Sequence, residues 1–291
     1  MIAVSNQPKR IQCNNEYDDL QKVILCEPQF MAIREVINET QEHFKNENIN
    51  IDRATWQHGQ FSQLLSDHGV EVIKLPSIQH YPEQVFTRDI GFTIGQTIFI
   101  AEMAADIRQG EENELQKWLE KEHISFLNLI EYSIEGGDVI VDGNTLYIGK
   151  SSRTNERAIH QLKSILPDYE IIPISFNEKY LHLDCVFNII SPNEAFIFPE
   201  AIDHHTVKML SSRFDLIEVT EKEQFTLGTN VLSIGRKKVF SLMGNQDVNN
   251  QLTKRGYEVI EVDISEIIKS GGSFRCCTLP ILRQSDKISI H

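Results

Sequence analysis

Five stretches of this chain place residues able to do chemistry beside glycines or at the ends of apolar runs. The first is Gly271-Gly272-Ser273-Phe274-Arg275-Cys276-Cys277-Thr278-Leu279-Pro280. Two glycines allow backbone conformations closed to other residues and a close approach to a ligand. Arg275 beside Cys276 predicts a reactive thiol, because a neighbouring cation favours the thiolate. The plainer alternative is a glycine turn before an ordinary half-buried cysteine. The second stretch is Leu181-His182-Leu183-Asp184-Cys185. Read as a strand, it puts His182 and Asp184 on one face, imidazole beside carboxylate, although a lone His-x-Asp pair is more often structural. The third, Ile134-Glu135-Gly136-Gly137-Asp138, again follows an acid with two glycines. The fourth, Phe86-Thr87-Arg88-Asp89, ends on an acid that could hold a cation or cap a turn. The fifth, Ser151-Ser152-Arg153-Thr154-Asn155, opens a helix-like run. Arg153 could clamp a carboxylate in bidentate fashion, with Ser152 or Thr154 as the helix cap.

Together these supply a nucleophile (Cys276), an acid/base (His182) and three carboxylates (Glu135, Asp89, Asp184). Three carboxylates around one thiol raise its pKa, which suits a protease badly. It makes sense if the substrate is itself a cation. A guanidinium is planar, presents donors in a fork that matches carboxylates, and brings the positive charge that favours a thiolate.

Such residues need a scaffold that gathers them, and the chain is repetitive. Five segments share one shape, a turn or polar residue followed by a short apolar strand: His68–Leu75, Glu122–Leu129, Asp168–Ile174, Arg213–Val219 and Arg255–Val262. Successive copies begin roughly 40 to 55 residues apart, the spacing of a repeat architecture. Helical periodicity precedes them, as in Arg153–Leu166, where Ile159, Leu162, Ile165 and Leu166 fall on one face. Hairpins precede the helices, pivoting at Gly95-Gln96, Asp142-Gly143-Asn144, Ser191-Pro192-Asn193 and Gly235-Arg236. The first copy shows Val23-Ile24-Leu25 and no clear second strand. The unit is strand, strand, helix, strand, five times over. Arranged around an axis, such units form a ring with a central channel. An ordinary three-layer α/β protein is the alternative. No Gly-x-Gly-x-x-Gly follows an early strand, so a dinucleotide fold fits less well.

Composition narrows the rest. The chain has 291 residues, 41% hydrophobic and 24% charged, with no shift that marks a linker, so 1–291 reads as one domain. A net charge of −14 argues against nucleic acid or an anionic membrane as partner. No apolar run is long enough to span a bilayer, and Met1 to Gln12 lacks the apolar core of a leader. Cys13, Cys26, Cys185, Cys276 and Cys277 are sparse and lack Cys-x-x-Cys spacing. That argues against a disulfide framework or structural zinc and points to a reducing, cytoplasmic compartment.

Phe86-Thr87-Arg88-Asp89, Glu135-Gly136-Gly137-Asp138, Arg153-Thr154-Asn155, His182-Leu183-Asp184 and Gly271-Gly272-x-x-Arg275-Cys276 resemble the motifs of the guanidino-group-modifying superfamily. That superfamily includes arginine deiminases, dimethylargininases, agmatine deiminases and amidinotransferases. The resemblance spans about Val23 to Pro280. It implies a five-bladed αβ-propeller, the pentein fold, with its active site in the central channel. It also implies Cys276 as nucleophile, His182 as general acid/base and Glu135 as a guanidinium-binding carboxylate beside the histidine. Asp89 and Asp184 would be further guanidinium-binding acids, and Arg153 and Arg108 would hold a substrate α-carboxylate. Glu83 lies where dimethylargininases place an acid. No metal or organic cofactor is implied. Chain length suits a dimethylargininase, whereas His182-x-Asp184 and Phe86–Asp89 look more like a deiminase. The expected activity is hydrolysis of arginine or N-methylated arginine to citrulline and ammonia or a methylamine. Deimination, amidino transfer and a non-catalytic binding role on the same ring are the alternatives. Oligomeric state is open, a homodimer included.

Overall fold

The computed structural model describes residues 10–129 and 131–285. Met1–Lys9, part of the stretch read for a leader, and residues 286–291 lie outside the described residues.

In chain order the elements are β1 (Asp19–Cys26), α1 (Glu39–Phe44), α2 (Ile51–Asp67), β2 (Glu71–Leu75), β3 (Gly91–Ile94), β4 (Thr97–Ile100), α3 (Glu112–Lys121), β5 (Phe126–Asn128), β6 (Val139–Asp142) and β7 (Thr145–Lys150). There follow α4 (Glu156–Ile165), β8 (Glu170–Ser175), β9 (Phe187–Ile189), β10 (Glu194–Ile197), α5 (His204–Ser211), β11 (Asp215–Glu218), α6 (Glu221–Phe225) and β12 (Leu232–Gly235). The last are β13 (Lys238–Leu242), α7 (Gln246–Lys254), β14 (Glu258–Val262), α8 (Ser265–Ile268) and β15 (Leu279–Gln284). They form five three-stranded sheets, ordered β15-β1-β2, β3-β4-β5, β6-β7-β8, β9-β10-β11 and β12-β13-β14. In every sheet the middle strand pairs antiparallel with the first and parallel with the third. A hairpin makes the first pairing in the four sheets that do not contain β1, and a crossover through a helix makes the second in all five.

The strand missing from the first copy comes from the other end of the chain. β15 pairs with β1, Val23 opposite Pro280 and Ile24 opposite Leu279, so the C-terminal strand closes the ring.

Each middle strand is buried on both faces, and its alternate residues enter different apolar seams. On β4, Ile98 and Ile100 enter one seam and Phe99 the next. On β7, Leu146 and Ile148 part from Tyr147 in the same way, as do Ala195 and Ile197 from Phe196 on β10. β1 divides Val23 and Leu25 from Ile24, and β13 divides Val239 from Phe240 and Leu242. One apolar seam thus lies between each neighbouring pair of blades. The seam joining the first and last blades holds Phe61, Phe240 and Phe274, with ring centroids 5.2 Å apart for Phe61–Phe240 and for Phe61–Phe274. These edge-on contacts anchor the loop that carries Cys276.

Helix α4 is shorter than its apolar periodicity suggested. Asn155, not Ser152 or Thr154, caps it by accepting the Arg157 N–H. Thr154 instead donates to Asp138 Oδ2 at 2.6 Å, inside the hub.

Candidate active site

The five blades meet at turns that lead into their first strands. In each, a backbone N–H closes back on a carbonyl: Asp89 on Phe86, Asp138 on Glu135, Cys185 on His182, Asn230 on Leu227 and Thr278 on Arg275. Asp89, Glu135, His182, Asn230 and Cys276 each lie in one of these five turns. This corrects the strand expected at Leu181–Cys185. Leu183–Cys185 is a single 3-10 turn, and the strand begins at Phe187. Asp138 Oδ1 takes the Leu183 N–H at 2.8 Å, which a ladder bond would otherwise need. His182 and Asp184 consequently point to different partners.

His182 Nε2 lies 2.7 Å from Glu135 Oε2, and Nδ1 lies 3.6 Å from Asp89 Oδ1. Gly137 makes this possible, since a Cβ there would sit 2.6 Å from His182 Nδ1 and 2.9 Å from Asp89 Oδ1. The glycine motif serves the approach of the backbone to the imidazole. Burial by itself lowers the imidazole pKa, but the charge of Asp89, the bond to Glu135 and the charge of Asp138 outweigh it and lift His182 to about 9. Burial pushes Glu135 up, yet its bond to His182 and the charges of His182, Arg108 and Arg153 hold it near 2. His182 is thus an imidazolium at neutral pH, set as a proton donor.

Cys276 lies across the hub, with Sγ 3.7 Å from Asp184 Oδ2 and 3.9 Å from Oδ1. It is 3% exposed. Burial and then the charges of Asp184 and Asp89 push its thiol well above the ordinary value. The thiolate expected from Arg275 is therefore not what the geometry delivers. The Arg275 guanidinium is spent on Asp184 Oδ2 (2.6 Å), Glu16 Oε1 (3.2 Å) and the Val139 carbonyl (2.9 Å). The raised thiol agrees with the other expectation, that crowded carboxylates await a cation. Cys277 is buried in the seam between the first and last blades.

Asp89 accepts from Arg108 Nη1 at 2.7 Å on one oxygen, and its Oδ1 has no hydrogen-bond partner. Arg108 also holds Glu111 at 2.9 Å, so its guanidinium is committed within the protein. Arg153 donates to the Ile37 carbonyl at 3.0 Å, lies 3.8 Å from Glu135, and leaves Nη1 without a hydrogen-bond partner. Glu83 is buried under Gln41 and Ser270, which donate to it at 2.8 and 3.0 Å; burial foremost raises it to about 7. Asp89, Glu135 and His182 bring their ligand atoms within 4.8 Å of one another, near enough to gather round a cation.

Several hub residues carried no signal when the motifs were read. Glu16 sits beneath the site among Arg275, Arg88 and Arg283, whose charges overcome its burial and hold it near 2. Gln41 and Asn38 come from α1 and its cap, with Asn38 donating to the Ser270 carbonyl at 3.0 Å. Asn230 was invisible because asparagine before a strand ordinarily marks a turn. A cavity of about 270 Å³, lined in part by Asn38, Lys179, Tyr180, Phe225, Cys185 and Gly271, reaches the residues next to Asp184 and to the nucleophile loop.

Known proteins share this architecture. A family profile described as N,N dimethylarginine dimethylhydrolase, eukaryotic, matches residues 27–283. The uncharacterised protein YkgA of Bacillus subtilis (strain 168) is 54% identical over 97% of this chain and 99% of its own. The N(G),N(G)-dimethylarginine dimethylaminohydrolase of Mycobacterium tuberculosis is 26% identical over 87% of this chain and 83% of its own. The crystal structure of the product-bound N-terminal domain of ArgZ, an arginine dihydrolase of cyanobacteria, superposes with a TM-score of 0.83 at 24% identity, covering 91% of this chain and 98% of that one. A ring of five sheets, a shared seam pattern and a match along most of the chain lead to one conclusion: the protein belongs to the N,N dimethylarginine dimethylhydrolase family of guanidino-group-modifying penteins.

Proposed function

We propose that the protein hydrolyses the guanidino group of arginine or an N-methylated arginine through a covalent intermediate on Cys276, with 1–291 acting as one catalytic domain. The observation that carries this reading is the pairing, across one buried hub, of an imidazolium held by Glu135 and Asp89 with a thiol held against Asp184. A guanidinium bound between these acids supplies the positive charge the thiol lacks. The thiol proton passes to Asp184, and the thiolate attacks the central guanidinium carbon. His182 gives its proton to the departing ammonia or methylamine, leaving an amidino group on sulfur. Neutral His182 then takes a proton from water, and the hydroxide displaces the sulfur to give the ureido product. As the C–S bond breaks, the hydroxyl proton of that adduct goes to solvent to leave the ureido carbonyl, and the proton on Asp184 returns to sulfur. Arg153 Nη1, which lacks a hydrogen-bond partner, is a donor open to a substrate carboxylate, which ranks agmatine low.

Acyl transfer fits less well. Enzymes that cleave amides or esters aim backbone N–H donors at an oxyanion, whereas the Cys276 N–H is occupied by Asn230 Oδ1 at 3.1 Å and the nearest charges are acids. Asp184, so near the sulfur, favours a terminal nitrogen that still carries N–H. Unmethylated arginine is therefore expected to turn over faster than its dimethylated form. The test is product release from arginine, methylated arginines and agmatine, by wild type and by Cys276→Ser. Citrulline formation without an added amine acceptor, absent in the variant, is expected. Unchanged turnover by Cys276→Ser rejects the nucleophile, and a strict need for an acceptor amine makes the protein an amidinotransferase.

A further inference from the structure

Asn230 stands at the fifth hub position, just before β12, and is fully buried. Its Oδ1 accepts the N–H of Cys276 at 3.1 Å, and its Nδ2 donates to the carbonyl of Asp184 at 3.2 Å. Its own carbonyl accepts the N–H of Arg275 at 3.3 Å. One side chain therefore joins the nucleophile loop to the turn carrying the acid beside the sulfur, and its backbone holds the preceding residue of that loop. The neighbouring Thr229 extends the same joint, donating to the Cys185 carbonyl at 2.6 Å. Asp184 is held further by Arg275 on its carboxylate and by Thr229, whose hydroxyl also reaches the Asp184 carbonyl at 3.3 Å but makes no bond to the nucleophile loop among those described. The link from backbone to backbone across the two loops runs through Asn230.

We infer that Asn230 is a positioning residue that fixes the Cys276 sulfur against the Asp184 carboxylate and so keeps the resting thiol protonated until a cation arrives. The inference rests on the proposed role of Cys276, and it makes two predictions of opposite sign. Loosening the joint moves the sulfur away from the acid. Turnover then falls, because attack depends on placement to within about 1 Å. Alkylation of the resting thiol quickens, because the charge that suppresses its thiolate recedes. Damage that merely loosens the fold would lower turnover in step with the folded fraction and would expose Cys26, Cys185 and Cys277 as well.

The experiment compares wild type with Asn230→Ala and Asn230→Asp. Peptide mass spectrometry follows iodoacetamide labelling of each cysteine between pH 6 and 9, beside kcat and KM for the best guanidine. For Asn230→Ala the expectation is a kcat drop of about 10- to 100-fold, KM within about threefold, and faster labelling confined to Cys276 with its pH midpoint moved down. Asn230→Asp keeps an acceptor for the Cys276 N–H, loses the donor to the Asp184 carbonyl and adds a negative charge beside the nucleophile loop; because that charge opposes the thiolate directly, labelling slows relative to wild type while kcat falls, and the variant also serves if the alanine variant fails to fold. Wild-type labelling profiles in both variants, or equal acceleration at every cysteine, overturn the inference. Labelling that behaves as expected in a protein inert toward every guanidine leaves the joint in place and sinks the hydrolase reading instead.

Discussion

At the scale of single residues, the site is a problem in charge placement. Acids are gathered where nothing apolar would tolerate them, and each has a specific reason to stay ionised or to take up a proton. Glu135 is held near 2 by the imidazolium it touches. Glu83 and Asp138, which lack such a cation at contact distance, are raised by burial foremost to about 7 and about 6. The protonated state of His182 thus depends on Glu135. Glu135→Gln removes that charge, so the alkaline limb of the kcat/KM profile should move from near 9 toward the ordinary 6.5, with Asp89 and Asp138 holding back part of the change. At pH 7 the lost protonation alone should lower the rate by no more than about fourfold, since a group titrating near 6.5 keeps about a quarter of its protons there, and the loss should widen as pH rises toward 9. A variant whose alkaline limb stays near 9 would show that another group donates the proton.

At the scale of elements, the first blade's helix carries a liability the mechanism does not use. His58 on α2 is fully buried, and neither ring nitrogen has a hydrogen-bond partner. Burial, and then the charge of Lys74, hold it at about 4 instead of 6.5. The sign follows from linkage: between these values the unfolded chain binds the proton and the folded chain does not. Stability is full above about pH 6.5 and is lost as pH falls toward 4, by about 3 kcal/mol over the whole window. Urea denaturation at stepped pH should show this slope, and His58→Leu should flatten it. Side chains of Asn38, Asn50, Asn155, Asp203 and Thr220 cap α1, α2, α4, α5 and α6.

At the scale of the whole molecule, the ring is closed by a strand drawn from the far end of the chain. β15 follows Cys276 directly, so the nucleophile loop is fixed at one end by the closure itself. Leu279 and Ile281 on β15 are fully buried in the seam between the first two blades, and Gln284 is exposed. Leu279→Ala should cost about 2–5 kcal/mol in chemical denaturation, and it should lower kcat by more than the unfolded fraction explains. Gln284→Ala should change neither. Equal effects from both would mean that the strand's backbone pairing, not its seam contacts, holds the ring shut.

Much of this was legible in the residues. The fivefold period, the hairpins and the order strand, strand, helix, strand follow from local rules, because alternation and turn chemistry act over a few residues at a time. Cys276, His182, Glu135, Asp89 and Asp184 announced themselves by type, beside glycines or at strand ends. What only the folded chain decided is direction and partnership. Arg275 reads as an activator of Cys276 because it is adjacent, yet its guanidinium reaches Asp184 and Glu16 instead. His182 and Asp184 read as a shared strand face, yet a hydrogen bond from Leu183 to Asp138 in the preceding blade bends them into a turn. β15, Glu16 and Asn230 carry no local sign of their roles. Periodicity is a property of neighbours along the chain; a long-range hydrogen bond or ion pair belongs to residues that meet only when the ring closes.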